Sequence, residues 1–247
     1  MKRRTGDTVK ISGDYQYKAL TQGHPIQRFW HYAKHLSIKR YLPPKPSDTV
    51  LDVGCGSGVV TSFLGEFGAT VVGIDGNLDA IQFANQQFYH PNVKFQLGLV
   101  DENIQLDMLI DKIYCLEVIE HIYINQSKDM LKAFLKILKP GGQVFLTTPN
   151  YKSMWPIIEW LMDRLGLSPP LAEHQHVEFY DKRKLEKLCL ELDFEIKLIS
   201  TTCFIAPWLA PFSWSLAKKV NFLESRLPFY LGSILICVLV KPTQDDI

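Results

Sequence analysis

The chain has 247 residues, of which 47% are hydrophobic and 21% charged, a globular composition that excludes a disordered chain. That length suits one large α/β domain, or a domain with a lid, and buries roughly 70–75% of its unfolded surface without needing disulfide or zinc staples. With 27 Lys and Arg against 26 Asp and Glu the net charge is +1, which lends no support to nucleic-acid binding, and the 5 scattered cysteines form no CxxC pair that would suggest zinc or a disulfide framework.

The basic start Met1-Lys2-Arg3-Arg4 leads into polar residues and not into an apolar signal core, so a reducing cytoplasm is the expected compartment. Residues 1–24 are polar and are expected to wrap over another surface. Residues 25–42 read as an amphipathic helix with Phe29, Tyr32, Leu36 and Ile38 or Tyr41 on one face and Arg and Lys opposite. Leu42-Pro43-Pro44-Lys45-Pro46 stops it, so residues 1–46 form a helical cap ahead of the core.

From residue 49 strands alternate with helices. Strands are predicted at 49–53, 70–74, 93–97, 111–116, 143–147, 194–200 and 233–240. Helices are predicted at 59–67, from a cap at Asn77 to about 88 with Leu78, Ile81 and Ala84 or Phe88 inward, at 128–138, and at 181–192. Lys139-Pro140-Gly141-Gly142 is expected to end the third of these helices. Such alternation implies a doubly wound parallel sheet with helices on both faces. The apolar run 228–240 is too short to span a bilayer and reads as a buried strand.

Two insertions, 150–180 and 202–230, interrupt this rhythm and hold Trp155, Trp160, Trp208 and Trp214. Long aromatic connections in a compact domain are usually lids or binding loops, so both are assigned to the acceptor side of a site. Tryptophan beside Arg164, Lys218 and Lys219 also suits a peripheral membrane contact, the alternative to a packed lid.

The strongest signal is Val50-Leu51-Asp52-Val53-Gly54-Cys55-Gly56-Ser57-Gly58, a buried strand running into a loop with glycine at every second position. A dinucleotide fingerprint would place its third glycine where Val59 stands, and no Gly-Lys-Ser/Thr follows, so pyrophosphate binding is disfavoured and a P-loop excluded. Asp75 ends the next strand, where a carboxylate can accept both hydroxyls of a ribose. Loop and acid together describe a nucleoside site without a diphosphate.

This combination resembles the class I S-adenosylmethionine-dependent methyltransferases over about residues 47–200 plus the final strand. The resemblance implies a mostly parallel, seven-stranded Rossmann-like sheet with a cofactor-binding core at 47–150. It places Gly54, Cys55, Gly56 and Gly58 against the methionine part of S-adenosylmethionine, Asp75 on the ribose, Gly76 and Asn77 beside the adenosine, and Asp52 behind the loop. Where the family often has an acid near the adenine amino group this chain has Leu99, followed by Val100 and Asp101, so apolar contact and backbone bonds, or Asp101 in a shifted loop, would hold the adenine.

Leu116-Glu117-Val118-Ile119-Glu120-His121 follows the fourth strand and resembles the small-molecule branch of that family, including the ubiquinone-biosynthesis O-methyltransferases. The Asn/Asp-Pro-Pro-Tyr motif of DNA and glutamine N-methyltransferases is absent here. Three readings stay open. Glu120 and His121 could cap a helix or pair; His121 could act as a base, with Glu117 touching cofactor or acceptor; or Glu117, Glu120 and His121 could ligate Mg²⁺. His176 is a second candidate base and His174 a third. Tyr15, Tyr17 and the helix bearing Trp30 and His31 are expected to close over the site, with Trp30 packing on the sheet.

The expected reaction is O-methylation of a small, fairly apolar phenol, quinone precursor, lipid or carboxylate. An N- or C-acceptor and a non-catalytic cofactor-binding protein of the same fold are the alternatives. Val59 disfavours an NAD-dependent oxidoreductase.

Overall fold

Residues 12–106, 108–156, 164, 176–227 and 230–243 are described by the structure, a computed structural model; Trp160 and His174 lie outside them. The chain runs through α1 (Tyr15–Thr21), α2 (Pro25–Tyr41), β1 (Thr49–Val53), α3 (Val59–Gly65), β2 (Thr70–Asp75), α4 (Leu78–Gln87), β3 (Val93–Leu97) and β4 (Ile110–Leu116). A 3₁₀ turn (Ile119–His121), α5 (Ile124–Ile137), β5 (Leu138–Pro149), α6 (Lys182–Leu190), β6 (Glu195–Thr202), α7 (Ala206–Leu209), α8 (Trp214–Glu224) and β7 (Ile234–Val240) follow.

The strands form one seven-stranded sheet in the order β3-β2-β1-β4-β5-β7-β6. β1 pairs in parallel with both β2 and β4, so the winding reverses there, and the crevice beyond their carboxyl ends is the topological place for a ligand. β7 runs antiparallel to both β5 and β6 while the other neighbouring pairs are parallel, in agreement with the mostly parallel sheet expected from the sequence. Residue periodicity carries no sign for strand direction, and the insertion carrying α7 and α8 returns the chain so that β7 enters antiparallel between β5 and β6.

Side chains alternate across the sheet and so build two cores. Leu51, Ile113 and Leu146 join Leu131 and Phe134 of α5 on one face. Val50, Tyr114 and Phe145 join Phe29 of α2 and Leu64 of α3 on the other. Burial on both faces is why these strands read as continuous apolar runs.

Several boundaries differ from the expectation. α1 forms inside the polar start. α5 begins at Ile124 because Gln126 Oε1 accepts from the Tyr123 N–H at 3.0 Å and closes its first turn. The Lys139-Pro140-Gly141-Gly142 segment is not a separate loop: β5 starts at Leu138, and its register with β4 slips between the pairs at Ile110 and Lys112 while Gly141 turns through φ 72°. Leu78 is exposed, and Ala80, Ile81 and Ala84 form the buried face of α4. α2 is where sequence reasoning erred most: Phe29 and Ile38 are buried as expected, but so are Lys34 and His35, while Leu36 is only partly covered.

The cap is clipped to the sheet by polar contacts. Lys112 of β4 donates to Pro43 O at 2.8 Å and pairs with Asp48 at 2.7 Å, and the Tyr114 hydroxyl donates to Leu42 O at 2.5 Å. Both members of the Lys112–Asp48 pair are buried, so removing one strands the other. Lys112→Ala is expected to lower the unfolding free energy by about 3 kcal/mol in urea titrations. A loss below about 1 kcal/mol would show that the pair does not anchor the cap.

Candidate functional site

The loop after β1 is shaped by β2. Gly54 N–H and Cys55 N–H both donate to Ile74 O, at 2.8 and 3.1 Å, and Gly56 N–H donates to Asp75 Oδ2 at 2.8 Å. A phosphate-binding loop turns such donors toward its anion. Here three of them are spent on the neighbouring strand, which agrees with a ligand lacking a diphosphate. Gly54 has φ +71°, and a Cβ on it would lie 2.4 Å from Val118 Cγ2; Gly58 has φ +80°, and a Cβ there would meet Phe95 and Ala84 at under 3 Å. Both positions therefore demand glycine.

Asp75 Oδ1 accepts from Asn77 N–H at 2.8 Å, so its two oxygens brace the loop and the start of α4 together. A carboxylate offers about four lone-pair sites, and two remain for a ligand. Burial raises the Asp75 pKa, opposed by the N–H groups of Asn77 and Gly56. Gly76 lies between these braced residues. The Asn77 side chain caps α4, accepting from Asp79 and Ala80 N–H, as its sequence position predicts.

Asp52 is buried behind the loop and accepts from Thr61 Oγ1 at 2.7 Å, tying β1 to α3. Burial pushes its carboxyl up to about 7, with Thr61 opposing and Asp75 adding to the rise. The Cys55 side chain is buried. Leu99 is exposed, whereas Val100 turns into the core, so Leu99 has its side chain and Val100 its backbone available to a ligand. Asp101 Oδ1 accepts from Asn103 N–H at 2.9 Å and so closes its own turn.

α1 lies on the glycine loop. Tyr17 N–H donates to Ser57 Oγ at 3.0 Å, and the Tyr17 ring packs on Phe83 and Phe88 of α4 and its C-cap. Gln16 sits against Gly56, and its buried Oε1 has no hydrogen-bond partner. Gln16 was not legible from sequence, because a glutamine in a polar stretch carries no local signal.

The second half of the site lies at the end of β4. Glu117 has φ +57°, rare for a residue with a side chain, and accepts from Thr147 Oγ1 at 2.7 Å. Glu120 is fully buried; its Oε2 accepts from Thr148 Oγ1 at 3.0 Å, while its Oε1 has no hydrogen-bond partner and lies 3.9 Å from His121 Nε2. Burial first, and then Glu117, push the Glu120 carboxyl well above the ordinary range. Val177 and Glu178 N–H both donate to Glu120 O and bring the insertion's return over the turn. His176 thereby sits beside His121, with ring centroids 4.9 Å apart, and its Nδ1 is 2.6 Å from the Tyr151 hydroxyl.

One ligand atom from each of Glu120, His121 and His176 lies within 4.8 Å of the others. This set differs from the one expected from sequence: His176 stands where Glu117 was placed. The 55-residue gap between the histidines hides the pairing from any spacing rule. Of the plainer alternative, the capping half is not seen, because Tyr123 occupies the N-cap of α5, whereas the pairing half agrees with the 3.9 Å approach of His121 Nε2 to Glu120 Oε1.

α2 closes this side. Trp30 stacks on Trp155 at 5.1 Å and donates from Nε1 to Ser233 Oγ at 3.2 Å, so it packs at the sheet's carboxyl edge. Lys34, almost fully buried, holds its ammonium 4.0 Å from the Trp30 ring centroid. Burial lowers its pKa, and the carboxylates of Glu117 and Glu120 oppose that. His31 and His35 are kept neutral by burial, His35 falling to about 4 where it stacks on Phe63.

The methyltransferase domain family matches residues 26–198. The chain is 25% identical over 189 residues to the mitochondrial ubiquinone biosynthesis O-methyltransferase of Rattus norvegicus, covering 73% of this chain and 54% of that protein. It is 31% identical over 162 residues to the ubiquinone biosynthesis O-methyltransferase of Glaesserella parasuis, covering 61% and 66% respectively. The chain thus spans about half the length of the rat relative. Among solved structures, magnesium protoporphyrin IX methyltransferase from Synechocystis, with SAH bound, superposes with a TM-score of 0.60 at 16% identity over 92% of this chain and 93% of that one, a likeness of fold alone.

Asp52 makes a testable contribution to pH dependence. Between 3.8, its unfolded value, and about 7, the folded chain holds one more proton at this carboxyl than the unfolded chain does. The stability it supplies is therefore complete below 3.8 and is lost as pH rises toward about 7. Asp52→Asn keeps an acceptor for Thr61 but does not titrate. The wild-type minus variant difference in unfolding free energy should decline across that window and level off above it; a constant difference would contradict the burial argument.

Proposed function

We propose that this chain, which belongs to the methyltransferase domain family, is a class I S-adenosylmethionine-dependent methyltransferase that methylates an oxygen of a small, fairly apolar acceptor such as a phenol, quinone precursor, lipid or carboxylate. Bound in the crevice, the cofactor supplies an activated sulfonium methyl. Gly54, Gly56 and Gly58, with the backbone of Cys55, would line its methionine part, Gln16 closing over it from α1. Asp75 would hold the ribose, and Gly76, Asn77, the Leu99 side chain and the Val100 backbone would flank the adenine.

The observation that carries the oxygen reading is the group of Glu120, His121 and His176 with an unpartnered buried Glu120 oxygen. An amine acceptor needs only a neutral lone pair and correct placement. A hydroxyl with a pKa of ~10 must also lose a proton near neutral pH. His121 and His176 can each take one, and Tyr151 orients His176 through Nδ1. The same three side chains fit a divalent cation such as Mg²⁺, which would lower the acceptor's pKa; the set supplies nitrogen and carboxylate donors together with an oxygen that lacks any other partner. Glu117, strained and bonded to Thr147, would border cofactor and acceptor and shape the space between them. Stacked Trp30 and Trp155 would supply the apolar wall.

Asp75→Ala should weaken S-adenosylhomocysteine binding by roughly 1.5–3 kcal/mol in calorimetry, the worth of a charge-assisted hydrogen bond; unchanged affinity would remove Asp75 from the ribose. His121→Ala should lower turnover by about 10²–10⁴-fold while sparing cofactor affinity. Full turnover with phenolic acceptors would exclude it from proton transfer. Chelation of divalent ions separates the two versions: activity lost and restored by Mg²⁺ assigns the trio to a cation, and activity retained assigns it to acid–base work.

A further inference from the structure

Of the large apolar side chains exposed among the described residues, 9 of 18 fall between Ile205 and Leu231, the stretch that carries α7 and α8. α8 buries Ala217 and Asn221, its polar amide turned inward to accept from Thr202 Oγ1 at 2.7 Å. Its outward face carries Leu216, Lys219 and Leu223 at i, i+3 and i+7, with Phe222 beside them and Phe212, 86% exposed, just before the helix. α8 packs Trp214, Ala217 and Val220 on the core and carries a second apolar surface, with Leu216, Phe222 and Leu223, that faces solvent. The patch continues into a shallow cleft lined by Phe204, Leu227 and Leu231.

The charge on this patch has one sign. Lys218, Lys219 and Arg226 are exposed on or beside α8. Phe222 lies between two guanidinium groups, Arg226 at 4.0 Å and Arg40 of α2 at 4.9 Å from its ring centroid. The one acid of the stretch, Glu224, is occupied by the N–H groups of Phe204, Ile205 and Ala206 at 2.9 to 3.3 Å. No helix among the described residues is long and apolar enough to cross a membrane, so the surface would lie on a bilayer and not span it.

We propose that the α7–α8 surface docks this protein on an anionic lipid bilayer, with Phe212, Leu216, Phe222 and Leu223 in the acyl boundary and Lys218, Lys219, Arg226 and Arg40 at the headgroups. A second copy fits less well, because an isologous contact sets each cationic patch against its own like charges. The orientation also has a use. Residues 230–233 end the patch and border the acceptor side, where Asn150 Nδ2 donates to Tyr230 O and Gly232 O, and Trp30 to Ser233 Oγ. Docked this way, the acceptor side opens next to the lipid. The inference rests on the surface alone and stands whichever acceptor atom is methylated.

Vesicle flotation with the full chain tests it, using phosphatidylcholine alone and phosphatidylcholine mixed with phosphatidylglycerol. Binding to the anionic vesicles that falls with added salt is expected. Lys218→Glu/Lys219→Glu should weaken it roughly fivefold or more for each cation lost. Leu216→Ser/Leu223→Ser should abolish it while leaving the melting temperature and S-adenosylhomocysteine affinity unchanged. Absence of binding, or equal binding by all variants, overturns the proposal. So does a concentration-dependent dimer in sedimentation velocity that the leucine variant dissolves, since a second copy would then cover the patch.

Discussion

The architecture turns on the end of β2. Ile74 O takes two N–H groups from the loop after β1, and Asp75 takes a third together with the first N–H of the α4 approach. Two parallel strands are thereby joined at their carboxyl ends by a loop that these hydrogen bonds shape. A carboxylate oriented by two N–H groups at the winding reversal would, on the proposed reading, meet a ribose with little further ordering, which is the condition for binding that spends little on reorganisation.

The buried charge follows from that placement. Asp52 and Asp75 stand behind and beside the loop; Glu117 and Glu120 stand at the end of the neighbouring strand. Asp52 and Glu120 are buried, while Asp75 and Glu117 stay partly exposed at the crevice. Thr61, Thr147 and Thr148 supply one hydroxyl apiece, and Lys34 supplies a cation from the cap. The compensation is incomplete at Glu120, whose second oxygen is left beside two imidazoles. An incompletely satisfied buried carboxylate next to titratable nitrogens is costly to folding and useful to chemistry, and such costs are commonly found at functional sites.

The N-terminal cap joins the halves. α1 covers the loop through Gln16 and Tyr17, while α2 carries Trp30 and Lys34 to the acceptor side, and the clips at Leu42, Pro43 and Asp48 hold it to β4. On the proposed reading, residues outside the strand–helix core would therefore contribute to both the cofactor and the acceptor side.

The amino-acid sequence by itself determined the core: seven strand segments, the Gly54-Cys55-Gly56-Ser57-Gly58 turn, Asp75 at a strand end and the cap at Asn77. All of these are local, set by side-chain period, by backbone angles that only glycine tolerates, or by a side chain reaching its own helix, so spacing reveals them. Tertiary structure alone decided which distant groups meet. The antiparallel entry of β7, the burial of Lys34 on what reads as a polar helix face, the seat of Gln16 on Gly56 and the approach of His176 to His121 each depend on how separate segments pack. No periodicity within a segment encodes the surface it will face.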